Sequence, residues 1–222
     1  MGKTNNQHKK QKKLKPWRKA VQKAMCKATE KEALDRNGTA TPSFNYRWEH
    51  VTAVVTLALK LAALTGADRD IVEAAAWLHD VRKETREQHP VEGAKFARDF
   101  LPKTDFPPEK VDAVAQAILN HMGLWRDEPL THLESQVLWD ADKLAKIGLT
   151  AVFHWTAADI SKQKQLTTQD IIERGRSNDW LEKAVASMHT EPARRAAQSR
   201  LAAFNNLWNQ LEKELSGEDL FA

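Results

Sequence analysis

The pair His79-Asp80 places two residue types that can bind a metal ion at the end of an amphipathic segment. His79 continues the apolar face that contains Val72 and Ala76, so its imidazole is expected to point inward. Asp80 falls in the last helical turn, where the helix dipole disfavours an anion. A cation held between the two side chains would stabilise both. The alternative is a hydrogen-bonded core histidine beside a surface aspartate, which is the better interpretation of such a pair when it stands alone.

Other histidines and aspartates lie at the ends or on the inner faces of predicted helices. His50 lies on the apolar side of one helix, His89 directly precedes a second, and His121 ends a third. Asp140 and Asp142 fall within a further apolar helix. Histidine and carboxylate ligands suit Mn, Fe, Zn or Mg ions, and helical bundles build such centres from ligands on separate helices. The sequence therefore predicts a divalent metal centre inside a bundle.

The elements that must position these residues are helices. Apolar residues recur at three- and four-residue spacing from Asn45 onward, and strand-like alternation is absent. A Thr131-x-x-Glu134 capping box is expected to open the helix that contains the two aspartates. One predicted helix contains Val51 to Ala62 and is ended by Gly66, and a second contains Ile71, Ala75 and Leu78 and ends near Lys83. A third runs from Pro90 to about Leu101, and a fourth contains Val111 to Ile118 and is ended by His121. Further helices are predicted at about 131–146, 149–159, 168–175, 178–189 and 192–215. We predict an all-α fold.

Positive charge is concentrated at the start of the chain. Of 34 basic and 30 acidic residues, residues 1–28 contain ten basic and no acidic ones, which leaves the rest with a net charge of −6. Residues 1 to about 15 are predicted to be disordered, followed by a short helix from Pro16-Trp17 to Ala28 and a loop before Pro42. This basic arm either binds RNA or an acidic partner or serves as a solubilising tail. Its deletion through residue 28 is expected to leave catalysis nearly intact.

The composition restricts the class of protein. With 41% hydrophobic and 29% charged residues the chain is expected to fold. The single cysteine, Cys26, excludes an internal disulfide and a cysteine-rich zinc site. No apolar run approaches the roughly 20 residues of a membrane-spanning helix, and the polar N-terminus lacks a secretory signal. A cytoplasmic protein without membrane contact is predicted, whereas the oligomeric state is left open.

Three motifs resemble those of the HD superfamily of metal-dependent phosphohydrolases. Arg47-Trp-Glu-His50 resembles the opening motif, Ala74-Ala-Ala-Trp-Leu-His-Asp80 the signature helix, and Asp140-Ala-Asp-Lys-Leu144 the closing motif. The similarity covers about Arg47 to Lys146 and extends more loosely to about Leu215. It implies an HD-domain helical bundle with additional C-terminal helices. The predicted units are an arm and linker (1–42), an HD core (43–160) and C-terminal helices that pack on the core (161–222).

The resemblance implies His50, His79, Asp80 and Asp142 as basic metal ligands. Asp142 is preferred because Lys143-Leu144 follows it, as in the family motif. Asp140 lies about 200° away around the helix, so an outer or surface role is expected for it.

A second ion is implied by two further segments. His89-Pro-Val-Glu-Gly-Ala94 and Ala117-Ile-Leu-Asn-His121 resemble segments that supply extra histidines in dinuclear HD enzymes. The alternative is that both histidines are ordinary helix-end residues. His132 is expected to be an exposed first-turn residue, and His189 a helix terminus.

The implied reaction is attack of a metal-activated water on a small phosphorylated substrate. Asp80 would bind and bridge the ions, and Arg47 would present its guanidinium fork to a phosphate. Lys83 and Lys143 would neutralise phosphate charge, or are solvated surface charges. Lys83 stands where HD nucleotidases have Glu and looks more like the cyclic-dinucleotide phosphodiesterase branch, yet that branch's Gly-Tyr-Pro segment is missing after His121. Nucleotides, dinucleotides and other small phosphate compounds all remain possible substrates.

Two other classes compete with a hydrolase. A nucleic-acid-binding protein would use the basic arm and keep the helical domain as a metal-binding scaffold. A metal-binding scaffold without turnover is the other alternative, and the complete set of predicted ligands argues against it.

Overall fold

The computed structural model describes residues 14–162, 164–177 and 179–221. Within these ranges it contains ten α-helices and no β-strand, which confirms the all-α prediction. The helices are α1 (Trp17–Asn37), α2 (Tyr46–Thr65), α3 (Arg69–Leu78), α4 (His89–Phe100), α5 (Val111–Asn120), α6 (Leu133–Leu144), α7 (Leu149–Ser161), α8 (Thr168–Arg176), α9 (Trp180–Ala186) and α10 (Glu191–Ser216). None of the described helices is long and apolar enough to cross a membrane.

The centre of the bundle consists of α2, α3, α5 and α6, with α4 packed on α5. The Asn45 side chain caps α2 by accepting from the Trp48 amide, and Asp68 caps α3 by accepting from two amides of its first turn. Gly66 ends α2 in the left-handed conformation, at a φ of 77° that disfavours residues with a Cβ. The fully buried run Ala74–Ala76 lets neighbouring helices approach α3 closely.

Helix α1 is longer and better packed than the sequence suggested. It runs from Trp17 to Asn37 rather than ending at Ala28, and it buries Trp17, Val21 and Met25 against the bundle. The predicted end of this helix at Ala28 is therefore wrong. The effect of deleting residues 1–28 on catalysis stays a prediction, although that deletion would remove these three buried side chains. The part of the arm at residues 1–13 lies outside the described residues, and the three predicted domain boundaries stay predictions.

Two predicted helix ends are also wrong. Helix α6 begins at Leu133 without a capping box, and Glu134 instead accepts a hydrogen bond from the distant Asp68 amide at 3.2 Å. Helix α3 ends at Leu78 rather than near Lys83, so Asp80 lies in the turn that follows the helix. The start of α6 is decided by a contact with a distant residue, and the end of α3 by the turn that follows it. The local sequence specifies neither of them.

The C-terminal helices α7 to α10 cover one side of the bundle. Helix α10 contacts α2, α6, α7, α8 and α9, and its Trp208 ring packs on Gly175 so closely that a Cβ there would lie 2.2 Å from it. Phe204 meets Trp208 edge-on at 5.3 Å. Aromatic side chains therefore pack this side of the bundle together.

The packing of α1 can be tested by Trp17→Ala. The Trp17 ring meets Phe106 edge-on at 5.0 Å, and its backbone N–H donates to Asp105 at 2.7 Å. Truncation of this buried ring should lower the free energy of unfolding by about 3–5 kcal/mol, measured by urea denaturation. Lys19→Ala on the exposed side of the same helix is the control and should be near neutral. Equal stability of the two variants would show that α1 is a detachable segment.

Candidate metal centre

Five helices and the turns next to them bring the six predicted metal ligands into one buried cluster. The cluster consists of two triads, within each of which one ligand atom per residue lies within 4.8 Å of the others. The first triad is His50, His79 and Asp142, and the second is Asp80, His89 and His121. All six residues are buried. The structure thus gathers every residue that the sequence nominated as a ligand, while metal binding by them stays a prediction.

Backbone carbonyls orient three of the four imidazoles. His79 Nδ1 lies 2.8 Å from the Ala76 carbonyl and His121 Nδ1 2.6 Å from the Ile118 carbonyl. His89 Nδ1 makes the same contact with the carbonyl three residues before it. A carbonyl can only accept, so Nδ1 must carry the proton and Nε2 keeps its lone pair. Such second contacts fix the tautomer that a metal-binding histidine needs.

Asp80 lies between the two triads. Its Oδ1 is 3.4 Å from His89 Nε2 and 3.7 Å from His121 Nε2, within the second triad. Its Oδ2 is 3.6 Å from His79 Nε2, a member of the first triad. In that first triad, His50 Nε2 lies 3.0 Å from Asp142 Oδ1. The two oxygens of one carboxylate therefore face different triads, as a bridging ligand would.

The chemical state of the cluster fits a divalent cation. His79 Nε2 is buried without a hydrogen-bond partner, an unfavourable arrangement that a cation would relieve. His50 Nε2 and Asp80 Oδ1 are also buried, and their close contacts are ionic ones, to Asp142 at 3.0 Å and to Lys83 at 3.1 Å. Burial lowers the pKa of His50 and of His89 to about 4 and that of His79 to about 3. These imidazoles are consequently neutral at physiological pH and can donate a lone pair.

Arg47 holds Asp80 in its ionised form. Burial acts to raise the pKa of Asp80, but the Arg47 guanidinium, followed by His79 and Lys83, outweighs it and holds that pKa well below its usual value. Arg47 donates to Asp80 Oδ2 and to both oxygens of Glu32, at 2.9 and 3.3 Å. The fork predicted to grip a phosphate is thus engaged by two protein carboxylates, with only 10% of the side chain exposed. In this structure Arg47 positions Asp80.

Two lysines hold Asp142. Lys143 is fully buried and donates to the His121 carbonyl at 2.9 Å and to Asp142 Oδ2. Burial lowers its pKa to about 8 despite the neighbouring carboxylate. Lys146 donates to Asp142 Oδ1 at 2.6 Å and keeps 25% of its side chain exposed. Lys143 is therefore neither a solvated surface charge nor within reach of a substrate, whereas Lys146 faces both the centre and solvent.

Lys83 contacts ligand atoms of the second triad. Its ammonium lies 3.1 Å from Asp80 Oδ1 and 3.1 Å from His89 Nε2, and 29% of the side chain is exposed. Because both atoms are candidate ligands, Lys83 competes with a cation for them. Its partial exposure also leaves it available to a phosphate.

Asp140 has a structural role different from the surface position considered for it. It is fully buried and accepts from the amides of His189 and Thr190 at 2.9 and 2.7 Å, just before α10 begins. The His189 ring also contacts Asp140 and accepts from the Leu130 amide. Asp140 thus anchors the start of α10 and lies outside both triads. His132 is exposed at the start of α6, as predicted.

Sequence reasoning missed two residues of the centre. Lys146 stands four residues after Asp142, and that spacing alone signals an ion pair on one helix face. Glu32 carried no such signal, since it lies on α1 and meets Arg47 only through the packing of α1 on the bundle.

Comparisons with known proteins give the family and the fold. Residues 47–147 match the family model of the HD domain, and a comparison with curated proteins finds no match. A predicted HD superfamily hydrolase from an uncultured Thermotogales bacterium has a TM-score of 0.64 at 20% identity, covering 90% of this chain and 94% of that one. An HD-superfamily hydrolase from Bacillus thuringiensis has a TM-score of 0.63 at 22% identity, covering 89% and 97%. YpgQ from Bacillus subtilis, in complex with ADP, has a TM-score of 0.63 at 22% identity, covering 90% and 98%.

The number of bound ions tests the two-triad arrangement. We expect about two divalent ions per chain at saturating Mn²⁺, measured by elemental analysis. His89→Ala or His121→Ala should remove one ion and leave the first triad occupied, because His50, His79 and Asp142 do not depend on them. His132→Ala, an exposed histidine outside the centre, is the control and should keep both ions. One ion in the wild type and in all variants would exclude a second site.

Proposed function

Residues 47–147 form an HD domain and the chain belongs to the HD superfamily of metal-dependent phosphohydrolases; from this premise we propose that it hydrolyses a phosphate ester or anhydride of a nucleotide. The observation that carries the proposal is the position of Asp80 between two buried triads of histidines and ionised carboxylates. Dinucleotides and other small phosphorylated compounds remain possible substrates of the same centre. The cytoplasm remains the predicted location.

The ligands suit the chemistry of the family. A divalent ion bound there supplies a water of lowered pKa and polarises a phosphoryl oxygen. The chain itself contributes ionised carboxylates, because Arg47 keeps Asp80 charged and Lys143 with Lys146 keep Asp142 charged. It also contributes imidazoles whose Nε2 atoms are aimed inward because backbone carbonyls hold their Nδ1 atoms.

Lys83 and Lys146 are the cations that we propose contact the substrate phosphates. Each lies within 3.1 Å of a ligand carboxylate and leaves a quarter or more of its side chain exposed. Arg47 and Lys143 are buried and engaged with protein groups, so we assign them the positioning of Asp80 and Asp142. A phosphate chain that approaches the centre would therefore meet one ammonium beside each triad.

A cavity of about 260 Å³ beside the first triad supports a nucleotide substrate. Lys146 and Tyr46 form part of its wall, and the Tyr46 ring stacks on His50 with centroids 6.1 Å apart. Trp155 and Trp180 also line the cavity, and the Trp155 ring is in contact with Arg174 and Trp208, so this wall offers aromatic and cationic surface to a nucleotide. The fold shared with the ADP complex of YpgQ supports the same substrate class.

The proposal is tested with Mn²⁺-loaded protein and a panel containing ADP, ATP, a cyclic dinucleotide and p-nitrophenyl phosphate. We expect release of phosphate or pyrophosphate from a nucleotide, loss of this activity with EDTA, and its abolition in Asp80→Asn. Thr131→Ala is the control, since that side chain is exposed and belongs to neither triad. Turnover of the nucleotides at the same rate by Asp80→Asn would overturn the proposal.

The roles of the lysines give a separate prediction. Lys146→Met should lower kcat/KM by about 100-fold, because it removes a charge-assisted contact to the phosphate, while Lys60→Met on the exposed side of α2 should have no effect. The Mn²⁺ content of Lys146→Met should stay at the wild-type level. If that variant loses metal as well as activity, Lys146 acts by positioning Asp142 and does not contact the substrate.

A further inference from the structure

A second cavity, unconnected to the ligands of the metal centre, lies between α1, α4 and the turn that follows α3. Its volume is about 570 Å³, twice that of the cavity beside the first triad. Its walls carry five lysines and one arginine and no carboxylate. These cations are Lys15, Lys23, Lys27, Lys31, Lys103 and Arg82. We refer to this cavity as the lysine groove.

The lysines of the groove are available to an external anion. All five are exposed, and in the part of the chain that the structure describes none has a carboxylate within salt-bridge distance. Lys23, Lys27 and Lys31 follow one another at four-residue spacing, so they form a line along one face of α1 with steps of about 6 Å. Arg82 differs from them, since its guanidinium lies 3.6 Å from Glu84. A row of free cations with this spacing fits a polyanion better than a single carboxylate.

The floor of the groove is aromatic and apolar. Phe96 and Phe100 stack with centroids 5.0 Å apart and an interplanar angle of 17°, and both remain partly exposed. The Arg82 guanidinium lies 4.8 Å from the centre of the Phe96 ring. Between these rings and the lysines, α1 presents only alanines, Ala20, Ala24 and Ala28. A flat group can therefore enter the groove between the lysine row and the aromatic pair.

We propose that the lysine groove binds single-stranded nucleic acid, with phosphates on Lys23, Lys27 and Lys31 and a base against Phe100, because the Phe96 ring already lies between Phe100 and the Arg82 guanidinium. Cations that track a backbone beside rings that stack on bases are the two elements by which proteins hold unpaired strands. A duplex offers phosphates but keeps its bases stacked inside, so it would leave the aromatic floor without a partner. The sequence before Lys15 adds five more lysines and no acid.

The groove is separate from the proposed catalytic function. None of its walls contains a ligand of either triad. The turn after α3 is the closest link between the groove and the metal centre. In that turn Asp80 belongs to the second triad, and the next two residues, Val81 and Arg82, line the groove. Binding there does not require hydrolysis, and the site can exist whether or not the metal centre acts on nucleotides.

The test is fluorescence anisotropy of a labelled single-stranded oligonucleotide with the full chain at low salt. The triple variant Lys23→Glu, Lys27→Glu, Lys31→Glu should bind about tenfold or more weakly, and its salt dependence should lose a slope of about 2, since each phosphate contact on a single strand contributes about 0.7. The matched control changes Lys60, Lys95 and Lys213 to Glu. These lysines are exposed and outside the groove, so binding should fall less than threefold. Circular dichroism and Tm establish that both triple variants are folded.

Several results would overturn the proposal. It fails if the wild type does not bind the oligonucleotide at low salt, or if the two triple variants bind equally well. Loss of binding on changing Lys9, Lys10 and Lys12 to Glu, with no effect of the groove variant, would place the site in the arm. Equal affinity for a duplex would contradict the role of the aromatic floor. Tighter binding of an acidic peptide with the sequence of residues 211–222 would identify the groove as a protein-docking site.

Discussion

The buried ion pair between Arg47 and Asp80 is the interaction on which the centre depends. A carboxylate enclosed by neutral imidazoles would take up a proton unless a cation compensated its charge. Arg47 supplies that charge from α2, and Glu32 on α1 fixes the other side of the same guanidinium. Since α1 stays in place through Trp17 and the residues buried with it, the state of Asp80 is linked to the packing of a helix outside the HD motif. The carboxylates of Asp80 and Asp142 are therefore held in different ways. Asp80 is held by an arginine from helix α2, whereas Asp142 is held by Lys143 from its own helix and by Lys146 from the turn that follows it.

Helix ends deliver the ligands because they also supply the groups that orient them. The last carbonyls of a helix lack intrahelical partners, and His79 and His121 stand directly after α3 and α5, where their Nδ1–H groups reach the carbonyls three residues earlier. His89 does the same with the 3₁₀ turn before α4. One arrangement therefore satisfies a free carbonyl and selects the imidazole tautomer. Three separate elements thereby direct their Nε2 atoms into one volume.

The sequence predicted what depends on periodicity and local motif. The helical spacing of apolar residues predicted the helices of the bundle. The three motifs nominated four of the six residues that the structure brings together, and the segments around His89 and His121 nominated the other two. It failed where a distant contact decides the outcome. The Thr131-x-x-Glu134 pattern is a valid capping box in isolation, but Glu134 reaches Asp68 instead. Arg47 has the residue type of a phosphate ligand, yet Glu32, fifteen residues earlier, turns it toward Asp80. Neither contact can be read from spacing, because both arise only when helices from different parts of the chain pack together.

The claim that Asp80 joins two metal sites is tested most directly by electron paramagnetic resonance of the protein saturated with Mn²⁺. Two ions that share one carboxylate should be magnetically coupled, so we predict the spectrum of a coupled pair in the wild type. The same preparation of His121→Ala should show the signal of isolated Mn²⁺, because its second triad is incomplete. A wild-type spectrum of uncoupled Mn²⁺ at full loading would contradict the account, since Asp80 would then not connect the two triads.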